Sequence, residues 1–132
     1  MMCNCDRDVN CRPQEHKDPT VLVVEDDILI RMVISDRLRD DGWSVIEAGG
    51  ADEAIAVLRS GAEVDVVLSD IRMPGSLDGI GLAKFVKSER PELKIVLASG
   101  HLPALNAIEH DGFFAKPYSA ERVIAHIRTL VR

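Results

Sequence analysis

The chain turns from polar to strongly patterned at Pro19. Before that point residues 1–19 carry Cys, Asp, Asn, Arg, Gln, Glu, His and Pro with almost no apolar content, a composition that predicts a loose tail. Immediately afterwards Val21-Leu22-Val23-Val24 forms a continuous branched apolar run that ends abruptly in Glu25-Asp26-Asp27. Continuous rather than alternating apolarity predicts a strand buried on both faces. Over residues 28–39 the period changes. Ile28, Met32 with Val33, and Leu38 recur at helical spacing, Arg31, Asp36, Arg37 and Arg39 are expected on the outer face, and Gly42 closes the segment.

The alternation then repeats. Residues 44–48, 64–69, 94–98 and 113–115 read as strands, and residues 51–58, 80–88 and 120–130 as helices, with Pro91 stopping the second and Ser119 available to cap the third. Strand-helix units with continuous apolar strands predict a doubly wound α/β fold: five parallel strands, helices on both faces, right-handed crossovers. The stretch 100–112 departs from this rhythm, because Pro103 precedes a weak helical signal over 104–108. A shortened or irregular fourth helix is expected there.

Length and charge narrow the class. At 132 residues the chain has room for one domain, in which roughly two-thirds of the unfolded surface can be buried. A net charge of −6 supplies no basic patch for tracking a phosphate backbone, so nucleic-acid binding is not expected. Neither a signal peptide nor an apolar run near the roughly 20 residues of a membrane span is present, and a cytoplasmic location is expected. The three cysteines, Cys3, Cys5 and Cys11, all precede the patterned region, which argues against a disulfide framework. With His16 they could ligate Zn²⁺, but their spacing matches no standard finger.

Candidate chemistry gathers at strand ends. In an open parallel sheet ligands bind beyond the C-terminal ends of strands, where the strand order reverses. The first strand runs into Glu25 and Asp26, the third into Asp70, the fourth into Ser99, and the fifth into Lys116-Pro117. If the first and third strands are neighbours, three carboxylates share one crevice. Their repulsion calls for a hard divalent cation with oxygen ligands, for which Mg²⁺ is suited. Phosphoryl transfer needs a nucleophile, neutralisation of charge on oxygens, and placed donors. Asp70 can act as the nucleophile, Lys116 can pair with one phosphoryl oxygen, and the Ser99 hydroxyl can bond another. Glu25 and Asp26 could also favour the N-terminus of the first helix, a role compatible with metal binding.

At these residues the sequence resembles the receiver domain of two-component response regulators. The matching motifs are Val23-Val24-Glu25-Asp26, Ser69-Asp70-Ile71-Arg72-Met73-Pro74, the hydroxyl residue Ser99 after an apolar strand, and Lys116-Pro117, within a resemblance that covers residues 20–132. The resemblance implies a strand order 2-1-3-4-5, Asp70 as phosphoacceptor, and Mg²⁺ held by Glu25, Asp26, Asp70 and the backbone carbonyl of Arg72. It makes Lys116 the phosphate-pairing lysine, Ser99 the switch hydroxyl, and Phe113 the aromatic residue that rotates inward when Ser99 engages the phosphoryl group. It implies a cis Lys116-Pro117 bond, and a sensor histidine kinase or phosphotransfer protein as donor. With no effector segment after the last helix, a stand-alone receiver signalling to another protein is expected.

The sequence departs from the family pattern in three places. The turn 73–79 is one residue longer than the commonest form, the segment after Gly100 is several residues shorter, and Phe113 has no hydroxyl. Arg72 and His101 lie two residues beyond Asp70 and Ser99, where they are expected to tune the lifetime of the acyl phosphate. His110 and His126 are read as surface residues without partners. Two alternatives to a switch are a phosphorelay intermediate or phosphate sink, and a small aspartyl-phosphate phosphohydrolase. The second usually needs an acid-base carboxylate at the position of Arg72, so no enzymatic role beyond the chain's own phosphorylation and dephosphorylation is expected.

Overall fold

The computed structural model describes residues 18–75, 77–100 and 109–131. In chain order the elements are β1 (Thr20–Val24), α1 (Ile28–Asp40), β2 (Ser44–Ala48), α2 (Ala51–Arg59), β3 (Val66–Asp70), α3 (Gly79–Glu89), β4 (Lys94–Ser99), β5 (Phe113–Ala115) and α4 (Ala120–Val131). The strands form one sheet in the order β2-β1-β3-β4-β5. Every neighbouring pair is parallel, with Val21 opposite both Val45 and Val66, Leu68 opposite Val96, and Ser99 opposite Ala115. The expected fold class and strand order are therefore those of the molecule.

Two cores flank the sheet, as continuous apolar strands require. Leu22, Val24, Val67, Ile95 and Leu97 pack on one face against Ala54, Leu58, Leu82 and Val86 of α2 and α3. Val21, Val23, Val66, Leu68 and Val96 pack on the other against Ile34 and Leu38 of α1 and Val123, Ile124 and Ile127 of α4. The chain moves one way across the sheet from β1 to β2 and the other way from β3 onward. Right-handed crossovers then place α1 opposite α2 and α3.

Element positions agree with the sequence reading to within a residue or two, but the inward face of α1 does not. The buried residues of α1 are Ile34, Ser35 and Leu38, whereas Ile28, Met32 and Val33 are exposed, together with Leu29 and Ile30. The helix begins above the C-terminal edge of the sheet, so its first turn and a half overhangs the strands. Among the described residues, Leu29, Ile30 and Val33 there line an open groove with Pro117 and Tyr118 rather than a core. Arg31, expected outside, has a side chain only 20% exposed.

The helix start is capped by Asp27, whose carboxylate accepts from the amides of Leu29 and Ile30, rather than by Glu25 or Asp26. At the other end of the chain, the Ser119 hydroxyl accepts from the Arg122 amide at the start of α4, as expected.

Two histidines also need correction. His126 on α4 places Nε2 2.6 Å from the carbonyl oxygen of Asp111 and packs edge-on to Phe114, 5.7 Å between ring centres. A Cβ at Gly112 would lie 2.5 Å from the same nitrogen, so this contact requires glycine there. His110 accepts a hydrogen bond at Nδ1 from the Gly112 amide. The Pro19 carbonyl accepts from the Ser44 amide. The tail itself with Cys3, Cys5, Cys11 and His16, and the fourth-helix signal with Pro103 and His101, lie outside the described residues.

Candidate functional site

The strand order reverses between β1 and β3, and the acidic residues meet there. β1 is an interior strand, buried throughout its apolar run, and the chain leaves it at Glu25, whose amide still bonds the Ala48 carbonyl of β2. β3 is buried along its whole length and carries Asp70 as its last residue. One carboxylate oxygen from each of Glu25, Asp26 and Asp70 lies within 4.8 Å of the others. Glu25 and Asp70 are buried, and Asp26 faces solvent.

Lys116 enters from β5. Its ammonium lies 2.6 Å from Glu25 Oε1 and 3.3 Å from Asp70 Oδ2. Three bonds hold this edge in place. The Lys116 amide donates to the Ser99 carbonyl at 2.8 Å, the Ile71 amide to the Ala98 carbonyl at 2.9 Å, and the Ser69 hydroxyl to the Asp70 carbonyl at 2.9 Å. The Lys116-Pro117 bond is cis. Ser99 is buried at the end of β4, with Asp70 paired to its neighbour Ala98. Phe113, opposite Leu97, is partly buried and packs against the core on the α2 and α3 side of the sheet. Because residues two apart on a strand share a face, Ser99 and Leu97 lie on the same side as Phe113 and Ala115.

The electrostatics follow from burial. Desolvation pushes the Glu25 carboxyl above its ordinary pKa of 4.5, and the Asp70 charge adds to this, against the opposing hydrogen bonds from Lys116 and the Asp27 amide. Burial works against the Lys116 ammonium too, but its bond to Glu25 and the charge on Asp70 outweigh it and hold the amine above 10.5. The neighbouring Tyr118 phenol is pushed up to about 12, chiefly by burial. The pocket therefore contains carboxylates crowded together with a single lysine between two of them. Oxygen-only donors at this spacing fit a small hard dication such as Mg²⁺.

Several residues that shape the site carry no strong sequence signal. Gly79 is one: a Cβ there would lie 2.3 Å from the Asp70 carbonyl oxygen and 2.7 Å from Ile71 Cα. Its amide donates to the Ile71 carbonyl at 2.9 Å, which draws the start of α3 against the end of β3. The Asp78-Gly79 pair at a helix start was the available hint, with Asp78 as the cap. Leu77 lies across Gly81, where a Cβ would meet Leu77 Cδ1 at 2.3 Å. Arg72 is exposed in this turn.

The sequence model of the response regulator receiver domain matches residues 21–128. The chain is 34% identical over 122 residues to the probable transcriptional regulatory protein TcrX of Mycobacterium tuberculosis, covering 86% of this chain and 50% of TcrX. It is 37% identical over 116 residues to the C4-dicarboxylate transport transcriptional regulatory protein DctD of Rhizobium meliloti, covering 83% and 25% respectively. The chain thus spans half or less of these curated relatives. A crystal structure of a response regulator receiver protein from Sinorhizobium medicae superposes with a TM-score of 0.81 at 27% identity, covering 87% of this chain and 95% of that one. Sheet order, the acidic crevice and the matched span agree, and the chain belongs to the response regulator receiver domains.

Proposed function

We propose that Asp70 accepts a phosphoryl group from a histidine kinase or phosphotransfer protein, and that the phosphorylated domain is read by a protein partner in the cytoplasm. The observation that carries this reading is the convergence of Glu25, Asp26 and Asp70 within 4.8 Å, with the Lys116 ammonium 3.3 Å from Asp70. An Asp70 oxygen attacks phosphorus, the P–N bond to the donor histidine breaks, and the leaving imidazole nitrogen takes up a proton. The product is an acyl phosphate. Glu25, Asp26 and Asp70, with the Arg72 carbonyl, would hold Mg²⁺, which would supply neutralisation of the charge on the phosphoryl oxygens. Lys116 already sits between Glu25 and Asp70, so it reaches a phosphoryl oxygen on Asp70 by a small shift toward it.

Ser99 takes the second phosphoryl oxygen, and Phe113 follows by packing alone. Arg72 and His101, two residues beyond Asp70 and Ser99 along the sequence, tune acyl-phosphate lifetime. Hydrolysis returns the carboxylate, so the chain turns over only its own phosphoryl group. Access for a protein donor is supported by the apolar overhang of α1: Leu29, Ile30 and Val33 line a groove with Pro117 and Tyr118, bordered by Lys116.

Incubation with acetyl phosphate and Mg²⁺ tests the reading. Wild type is expected to acquire an acid- and base-labile label, lost in Asp70→Asn and on chelation. Wild type that stays unlabelled where an established receiver labels, or Asp70→Asn that labels equally, defeats it.

A further inference from the structure

The acidic loop is tied down by a residue the phosphoryl chemistry does not use. Arg31 lies one turn into α1, and because helical side chains lean toward the N-terminus of their helix, its guanidinium reaches back over the end of β1. Nη1 donates to the Glu25 carbonyl at 2.9 Å, while Nε donates to Glu47 Oε1 on β2 at 3.1 Å. The other oxygen of Glu47 is held by Arg39, two turns further along α1, at 3.0 Å. Gly49 lies alongside, where a Cβ would come within 3.4 Å of Arg31 Nη1, an ordinary contact.

With that bond Glu25 is fixed at four points. Its amide is held by Ala48, its carbonyl by Arg31, and its two carboxylate oxygens by Lys116 and the Asp27 amide. Such constraint has a cost to offset, because like charges held close repel. A loop free to relax would spread Glu25 and Asp26 away from Asp70.

We infer that Arg31 is a positioning residue for the divalent cation: its fork, anchored on Glu47, holds the Glu25 carbonyl so that the three carboxylates stay converged before the ion arrives. This rests on the proposed metal-binding reading of the crevice and extends it to a residue outside the ligand set. The role is mechanical rather than electrostatic. A nearby guanidinium charge by itself disfavours a dication, so the two effects have opposite signs. Neutral Arg31→Met weakens cation binding if the tether matters and tightens it if only the charge does.

Direct titration decides between them, with Mn²⁺ followed by electron paramagnetic resonance and Mg²⁺ by calorimetry, on the unphosphorylated protein. Arg31→Met is expected to raise Kd about tenfold, at the low end of what partners of metal ligands contribute. Arg31→Lys keeps the charge but cannot span both acceptors and is expected to fall between, about threefold above wild type. Glu47→Gln keeps an acceptor for Nε while removing the neutralising charge, and its Kd is expected to stay within about twofold. In Arg31→Met the Asp27 amide, which donates to Glu25 Oε2, is expected to exchange its hydrogen faster while core amides of β1 and β3 do not. An unchanged or lower Kd in Arg31→Met overturns the inference, as does a larger loss in Glu47→Gln than in Arg31→Lys. Wild type that binds neither ion would instead remove the metal reading on which it rests, and Arg31→Lys serves if Arg31→Met does not fold.

Discussion

Gly79→Ala sets two physical effects against each other, and the structure decides which prevails. Gly79 is the first residue of α3, and replacing glycine by alanine within a helix ordinarily gains up to about 1 kcal/mol through backbone entropy and helix propensity. Here the added methyl would sit 2.3 Å from the Asp70 carbonyl oxygen and 2.7 Å from Ile71 Cα. Both neighbours are backbone, and neither can swing aside as a side-chain tip would. Relief demands that β3 and α3 separate by about 1 Å, which loosens the Gly79–Ile71 hydrogen bond and shifts the carbonyl of the residue that carries the reactive carboxylate. Overpacking of this kind costs about 1–3 kcal/mol. For a domain of this size that corresponds to a fall in Tm of roughly 4–12 °C. Urea denaturation without Mg²⁺ measures the stability, and acetyl phosphate labelling, expected to slow at least severalfold, measures the site. Stability equal to or above wild type with an unchanged labelling rate would refute the steric reasoning, because propensity alone would then have won.

Other perturbations follow from the same geometry. Because burial raises the Glu25 carboxyl above 4.5, its contribution to stability is full below that pH and is lost as pH climbs through the raised value. Glu25→Gln is therefore expected to flatten the metal-free stability profile above pH 4.5, and denaturation at several pH values checks it. Asp111 has the opposite sign. Although burial opposes its charge, bonds from the Ile95 amide and Lys87 lower its pKa below 3.8, so its stabilisation is present above that pH and is lost as pH falls through the lowered value. Asp111→Asn should cost about 1–2 kcal/mol near neutrality and remove the acid-side slope, as read by urea titration at pH 3 and pH 7. Leu29→Ser with Val33→Ser alters only the overhanging face of α1, where the two side chains are 72% and 62% exposed. Stability should stay within about 0.5 kcal/mol and acetyl phosphate labelling should hold. Transfer from those kinases of the host that label wild type should slow, and equal transfer would show that donors dock elsewhere.

Much of this was legible along the chain because the deciding interactions are local or periodic. Continuous apolar strands demand cover on both faces, and that requirement alone leads to parallel strands with helices above and below. A strand that must end where burial ends places its first polar residues at the sheet edge, so Glu25, Asp26, Asp70, Ser99 and Lys116 could be named from position. What the sequence left open were contacts made across the fold. Arg31 looked like an outer-face residue because helical phase says nothing about where a helix overruns its sheet. Ile28 and Val33 looked buried for the same reason. Gly79 resembled any glycine at a turn until the Asp70 carbonyl was found against it, and His126 had no partner until α4 was laid beside Asp111 and Gly112. The sequence by itself determined the fold class and the residue types at each strand end, since both follow from hydrophobic periodicity. Only the tertiary structure decided which carboxylate Lys116 touches most closely and what holds Glu25 in place, because those depend on distances between segments whose spacing along the chain carries no record of them.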